Sequence, residues 1–194
     1  MSPLFEQAED ATPLTPEEAR DLIPSHISFR HELNDAEQEN IVRAQDWALL
    51  RRRDLLSEKF ILELHRRMLR DVWRWAGKFR CSERNLGIPF YEIPSEVRKL
   101  LEEARGWVEF NSYPPDEIAV RLHHRLVQIH LFPNGNGRHS RLVADLLAMD
   151  MGRERFSWGS VNLQSAGDVR RRYIAALRAA DKHDVTPLVA FARS

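Results

Sequence analysis

Between His130 and Arg141 the chain reads His-Leu-Phe-Pro-Asn-Gly-Asn-Gly-Arg-His-Ser-Arg, which puts an imidazole, two glycines and two helix-spaced guanidinium groups within twelve residues. Gly135 and Gly137 let the backbone turn tightly and aim successive N–H groups at one point, where a following helix would add its positive end. Arg138 and Arg141 stand one helical turn apart, and planar forks at that spacing can clamp phosphate oxygens. His130 closes the other side of the loop. An imidazole with an ordinary pKa near 6.5 can take a hydroxyl proton around neutral pH. A base facing an anion cradle is what phosphoryl transfer requires, because the protein's task there is to place nucleophile and phosphate and to stabilise spread negative charge. Each part alone has an ordinary explanation as a buried imidazole, a plain turn or surface charges. Their joint spacing favours the site.

Helical patterns surround this loop. The periodicity predicts helices over residues 116–130 and 136–151, so the loop would open onto a helix N-terminus. Upstream, Thr15-Pro16-Glu17-Glu18 reads as a cap, a first-turn proline and two acids, with a short helix to about Leu22. Asn34 with Glu37 reads as a capping box for a helix to about Arg52, and Ser57 caps a third helix whose stripe is Phe60, Ile61, Leu64, Met68 and Val72. Further helices are expected over 95–110 and 167–181. His65, on the third helix, has no metal partner in the pattern and receives no role. Only Arg80 to Ile93, with Asn85, Gly87 and Pro89 among short apolar pieces, reads as strand-like, an irregular β-hairpin. The expectation is an all-α fold with one small hairpin. Residues 1–14 form an extended arm, 15–54 carry N-terminal helices and 55–194 form the core.

The loop resembles the motif of the Fic (Fic/Doc) family, His-Pro-Phe-x-(Asp/Glu)-Gly-Asn-Gly-Arg-x-x-Arg, matched at His130, Phe132, Gly135, Asn136, Gly137, Arg138 and Arg141. The resemblance implies a helical bundle with a flap hairpin, and a protein adenylyltransferase (a nucleotidyltransferase) that moves AMP from ATP to a Ser, Thr or Tyr hydroxyl of a target protein. By it, His130 is the general base, Phe132 anchors the loop in the core and Asn136 contacts phosphate. Gly135 and Gly137 make the anion hole, and Arg138 and Arg141 hold the nucleotide's phosphates. Trp75-Ala-Gly-Lys-Phe79 looks like the approach to the flap, so residues 80–93 would hold a target segment beside the site. Asn162 and Tyr173, placed after the motif, are candidates for the base pocket.

Two positions depart from the motif. Leu131 replaces the common proline, a change in loop stiffness. Asn134 replaces the acid that would hold Mg²⁺, and its neutral carbonyl is a weaker ligand for a hard cation, so Mg²⁺ is expected chiefly through the phosphates of ATP. The resemblance also implies an inhibitory helix of pattern Ser/Thr-x-x-x-Glu-Gly/Asn. Asp35-Ala-Glu-Gln-Glu39-Asn40 approaches it, which predicts a Glu39–Arg141 ion pair.

Composition narrows the rest. The 29 basic and 29 acidic residues cancel, so no overall field favours nucleic acid or an anionic membrane. A single Cys81 fits a reducing compartment, and the N-terminus has no basic-then-apolar signal, so a cytoplasmic protein is expected. His123, His124 and His130 lack an acid at a familiar ligand spacing, which sets aside a metal hydrolase. Two alternatives stay open, a Doc-like phosphotransferase using the same loop and a catalytically silent module that binds nucleotide or protein.

Overall fold

Side-chain caps start α1 and α3, and the longest described connection, residues 70–92, joins α3 to α4. The structure, a computed structural model, describes residues 14–160 and 167–194. Its helices are α1 (Pro16–Ala19), α2 (Arg30–Leu49), α3 (Glu58–Leu69), α4 (Ile93–Glu109), α5 (Pro115–Ile129), α6 (Asn136–Asp150), α7 (Asp168–Ala180) and α8 (Thr186–Ala192). Thr15 caps α1 as expected and completes a capping box with Glu18, and the Ser57 hydroxyl accepts from the Phe60 N–H at 3.2 Å to start α3. At α2 the cap differs. The Glu32 carboxylate accepts from the Ser28 and Phe29 N–H groups at 2.8 and 3.0 Å, so the helix starts four residues before Asn34.

The all-α expectation holds, since α5 and α6 form a buried helical pair against which α3, α4 and α8 pack. Ile118, Leu122, Leu126 and Ile129 of α5 and Leu142, Val143 and Leu147 of α6 are buried, each worth about 1.5–3 kcal/mol on leaving water. Asp145, which interrupts the apolar run of α6, is buried and receives the Trp158 indole N–H and the Arg155 Nε–H, both at 2.8 Å. A buried carboxylate with two donors fastens the end of α6 to the chain that follows.

The hairpin expected over residues 80–93 is not formed. Residues 80–93 contain neither strand nor bridge, and an isolated antiparallel bridge joins Leu22 and Trp73. The backbone N–H groups of the two arms bond to the end of α5 and the start of the motif rather than to each other: the Arg80 N–H donates to the Leu131 carbonyl at 2.9 Å and the Ile88 N–H to the Ile129 carbonyl at 3.4 Å. Phe90–Glu92 then make a 3₁₀ turn into α4. Of the expected arm, residues 1–13 lie outside the described residues, as does Asn162.

Candidate active site

His130 ends α5 in a left-handed conformation, φ 58° and ψ 65°, costly for a residue with a Cβ and therefore imposed by its surroundings. Five residues on, α6 opens at Gly135, φ 79°, with no side-chain cap at that residue. A Cβ at Gly135 would stand 3.0 Å from Leu69 Cδ1 and 3.4 Å from His65 Nε2, so both φ and space demand glycine there. An uncapped helix N-terminus is an anion site by its amides and its dipole. Burial above all, then the Arg80 and Arg84 charges, push the His130 imidazole down to about 4, so it is neutral and able to accept a proton across the physiological range.

Phe132 is wholly buried and stacks on His65 with ring centroids 3.6 Å apart. His65 itself, given no role from sequence, is a bracket. Its Nδ1 accepts from the Gly77 N–H at 2.9 Å, and its Nε2 lies 3.0 Å from the Asn134 carbonyl, which requires the Nε2–H tautomer. Burial, with His139 nearby, holds His65 well below its ordinary value, in keeping with that neutral form. Its sequence signal was its place on the apolar stripe between Ile61 and Met68.

Asn136 is not turned to an open anion site. Its Oδ1 accepts from the Phe132 N–H at 2.9 Å and its Nδ2 donates to the Phe132 carbonyl at 2.7 Å, which makes it a staple across the loop, because a carboxamide offers a donor and an acceptor on one plane. The Asn134 Oδ1 accepts from the Gly135 N–H at 2.5 Å. That oxygen is neutral and engaged, and no group of three or more His, Cys, Asp or Glu side chains able to hold a metal occurs among the described residues. The residues present do not make a Mg²⁺ site of their own.

The two motif arginines have different partners. Arg138 Nη1 meets Glu37 Oε2 at 2.6 Å, and Glu37, 2% exposed, also accepts the Trp73 indole N–H at 2.7 Å. Arg141 lies near Gly137, where a Cβ would be 3.5 Å from its Nη1, and over the Tyr173 ring at 5.6 Å. Tyr173 in turn reaches His123 Nε2 at 3.0 Å. The expected Glu39–Arg141 pair is absent. Glu39 is 73% exposed at its side chain and faces Arg43 at 3.8 Å, because residue 39 lies two positions, roughly 200°, round α2 from residue 37. The carboxylate that meets the motif is Glu37, on its first arginine.

The Fic/DOC family model matches residues 55–148, a span that contains the whole loop, His65 and the segment after Trp75. The chain belongs to the Fic/DOC family. It is 32% identical over 147 residues to a protein adenylyltransferase Fic from Aedes aegypti, an alignment covering 74% of this chain and 28% of that relative. The chain thus spans little more than a quarter of the length of that Fic relative. A solved variant of Fic-1 from C. elegans is similar with a TM-score of 0.66 at 26% identity, over 90% of this chain and 51% of that one. The ADP-bound N-terminal Fic domain of a Bep effector protein from Bartonella quintana shares the fold with a TM-score of 0.66 at 16% identity, over 87% of this chain and 86% of that one.

Proposed function

We propose that this Fic protein transfers AMP from ATP to a hydroxyl group of a protein. The observation that carries the reading is the N-terminus of α6, without a side-chain cap, opening on the glycine turn five residues after a neutral, largely buried His130. In the step proposed, His130 takes the proton of the target's Ser, Thr or Tyr hydroxyl and the oxygen attacks the α-phosphorus of ATP. The bond from that phosphorus to the bridging oxygen breaks, and pyrophosphate leaves with the electron pair. The amides of the α6 turn and the guanidinium groups of Arg138 and Arg141 bear the negative charge that spreads over the phosphate oxygens. Mg²⁺ enters with ATP as part of the substrate, since Asn134 offers it one neutral oxygen. The polyphosphate's own charge would raise the His130 pKa from about 4 toward neutrality and strengthen the base once substrate is in place.

The buried Glu37–Arg138 pair supports a second element of the reading. A phosphate needs the guanidinium that Glu37 holds, so residues 15–54 act as a regulatory segment on the core of residues 55–194 and Glu37 competes with the nucleotide. The target protein docks along residues 80–93. The single Cys81, exposed there, fits a cytoplasmic site of action.

The test is intact mass spectrometry after incubation with ATP and Mg²⁺, of the protein alone and with candidate targets, with His130→Ala as control. A gain equal to AMP in wild type and none in the variant is expected. A gain equal to a phosphoryl group would point to the phosphotransferase, and nucleotide binding with no gain at all to a silent module.

A further inference from the structure

Arg80 is 2% exposed, yet no carboxylate stands within ion-pair distance of it among the described residues. Its guanidinium is solvated by carbonyl oxygens. Nε donates to the His130 carbonyl at 2.7 Å, Nη1 to Ser82 at 3.0 Å, and Nη2 to both Ile88 and, at 3.4 Å, Ile129. Two of these acceptors, Ile129 and His130, belong to the end of α5, where carbonyls have no helical partner and a cation is favoured. The other two belong to the segment that runs past the site. One planar fork with five donors serves both groups at once, and a lysine ammonium, with three donors on one atom, cannot reach four diverging oxygens.

The segment also leans on the base itself. Gly87 has φ +97°, and a Cβ there would stand 2.6 Å from His130 Cβ, 2.7 Å from Arg80 Nη2 and 3.0 Å from the Ile129 carbonyl. His130 is therefore held in its left-handed conformation between the fork of Arg80 and the bare backbone of Gly87. A tie between two loops needs donors only. Burying a cation without a direct ion-pair partner beside a base is an added cost that a neutral donor would avoid, and the carboxylates of Glu83 and Glu18 offset it only at a distance.

We propose that Arg80 is a positioning residue for His130, locking the base in its reactive orientation only while residues 82–88 are seated against the end of α5. The inference rests on the reading of His130 as the base. When the segment lifts, Arg80 loses its Ser82 and Ile88 acceptors, and the left-handed turn loses the contacts that hold it. A target laid along the segment presses it home and so completes the site. The charges acting on the His130 imidazole from this side are Arg80 and Arg84; Arg84 pairs with Glu18 of α1, and the charges of Glu83 and Glu18 act on Arg80.

The experiment compares wild type with Arg80→Lys, Arg80→Gln and Gly87→Ala in the full chain. Readouts are AMP transfer kinetics, thermal unfolding, and the titration of His130 followed by NMR of histidine-labelled protein, assigned with His130→Ala. Arg80→Lys keeps the charge and loses the fork, so kcat falls about 100-fold with KM for ATP within about twofold, the loss expected when a reacting group is misplaced by about an ångström. Gly87→Ala, which disturbs the same seat without touching the cation, gives the same split. Arg80→Gln in addition moves the His130 titration up toward its ordinary range. A folded Arg80→Lys with wild-type kcat overturns the proposal, as does a Gly87→Ala protein with wild-type kcat should the Arg80 variants fail to fold. If wild type transfers no AMP, the proposed activity fails. The His130 titration still decides whether Arg80 governs the imidazole, and an unmoved titration in folded Arg80→Gln counts against it.

Discussion

At the residue scale the site is governed by which oxygen or cation each side chain already holds. Glu37 illustrates this, because one carboxylate joins the Trp73 indole of the core to the first motif arginine. Glu37→Gln keeps an acceptor for Trp73 and removes the charge that holds Arg138. AMP incorporation is predicted to rise on the order of tenfold, the effect of about 1.4 kcal/mol of lost competition. Glu39→Gly, two residues away and in solvent, is expected to leave incorporation unchanged. An assay of labelled AMP uptake separates the two, and a rise with Glu39→Gly alone would contradict the assignment. The sequence held the clue to Glu37: Leu33, Glu37, Asn40, Ala44 and Ala48 fall at helical spacing on one buried stripe, and a carboxylate on such a stripe needs a partner. The resemblance of residues 35–40 to the inhibitory pattern pointed to Glu39 instead. The turn at Gly135, with His130 before it and Phe132 buried beneath it, was legible because the motif is local. The stapling by Asn136 was not, since a carboxamide's partner depends on how the loop closes.

At the scale of elements, the helices that carry the site were legible from caps and periodicity, α5 and α6 within a residue or so of their observed ends. The helix α8 was not. Seven residues are too few for a period to show, and its stability comes from burying Leu188 and Phe191 rather than from propensity. The segment after Arg80 was misread as a hairpin because turn residues between apolar pieces signal a reversal without saying what the arms will bond to. Here the partners are the carbonyls of Ile129 and Leu131, distant in sequence. The same kind of long-range tie makes His65 important. His65→Ala removes a ring stacked on Phe132 and leaves the Gly77 N–H and Asn134 carbonyl without their partner, a loss of roughly 3–4 kcal/mol in urea unfolding. In a Glu37→Gln background, calorimetry is expected to show weaker ATP binding for His65→Ala, because the carbonyl that precedes Gly135 is no longer fixed. Unchanged stability and affinity would mean that the bracket is idle.

For the molecule as a whole, burial of histidines sets the response to acid. His130 and His139 are pushed down to about 4, by burial foremost, and burial holds His65 and His123 well below their ordinary value. Unfolded, these imidazoles bind protons near 6.5, so between about pH 6.5 and 4 the unfolded chain carries more protons than the folded one. Their contribution to stability is complete above that window and declines as pH falls through it. Asp116, drawn down to about 2 chiefly by Arg193, adds a further loss below its ordinary 3.8 as it protonates. Urea midpoints taken from pH 7.5 to 4.5 should fall steadily below about 6.5, and a flat profile would deny the buried neutral histidines. No described helix is long and apolar enough to cross a membrane, and the balanced charge leaves recognition to the local site. In the proposed function the site presents a neutral imidazole and a helix end without a side-chain cap to the target hydroxyl and the α-phosphate of ATP. The deciding measurement incubates wild type and His130→Ala with ATP labelled in parallel at the α- and γ-phosphates. Protein-bound label from the α position alone, lost in the variant, is the predicted result. Label from the γ position, or equal α-label in both proteins, would contradict it.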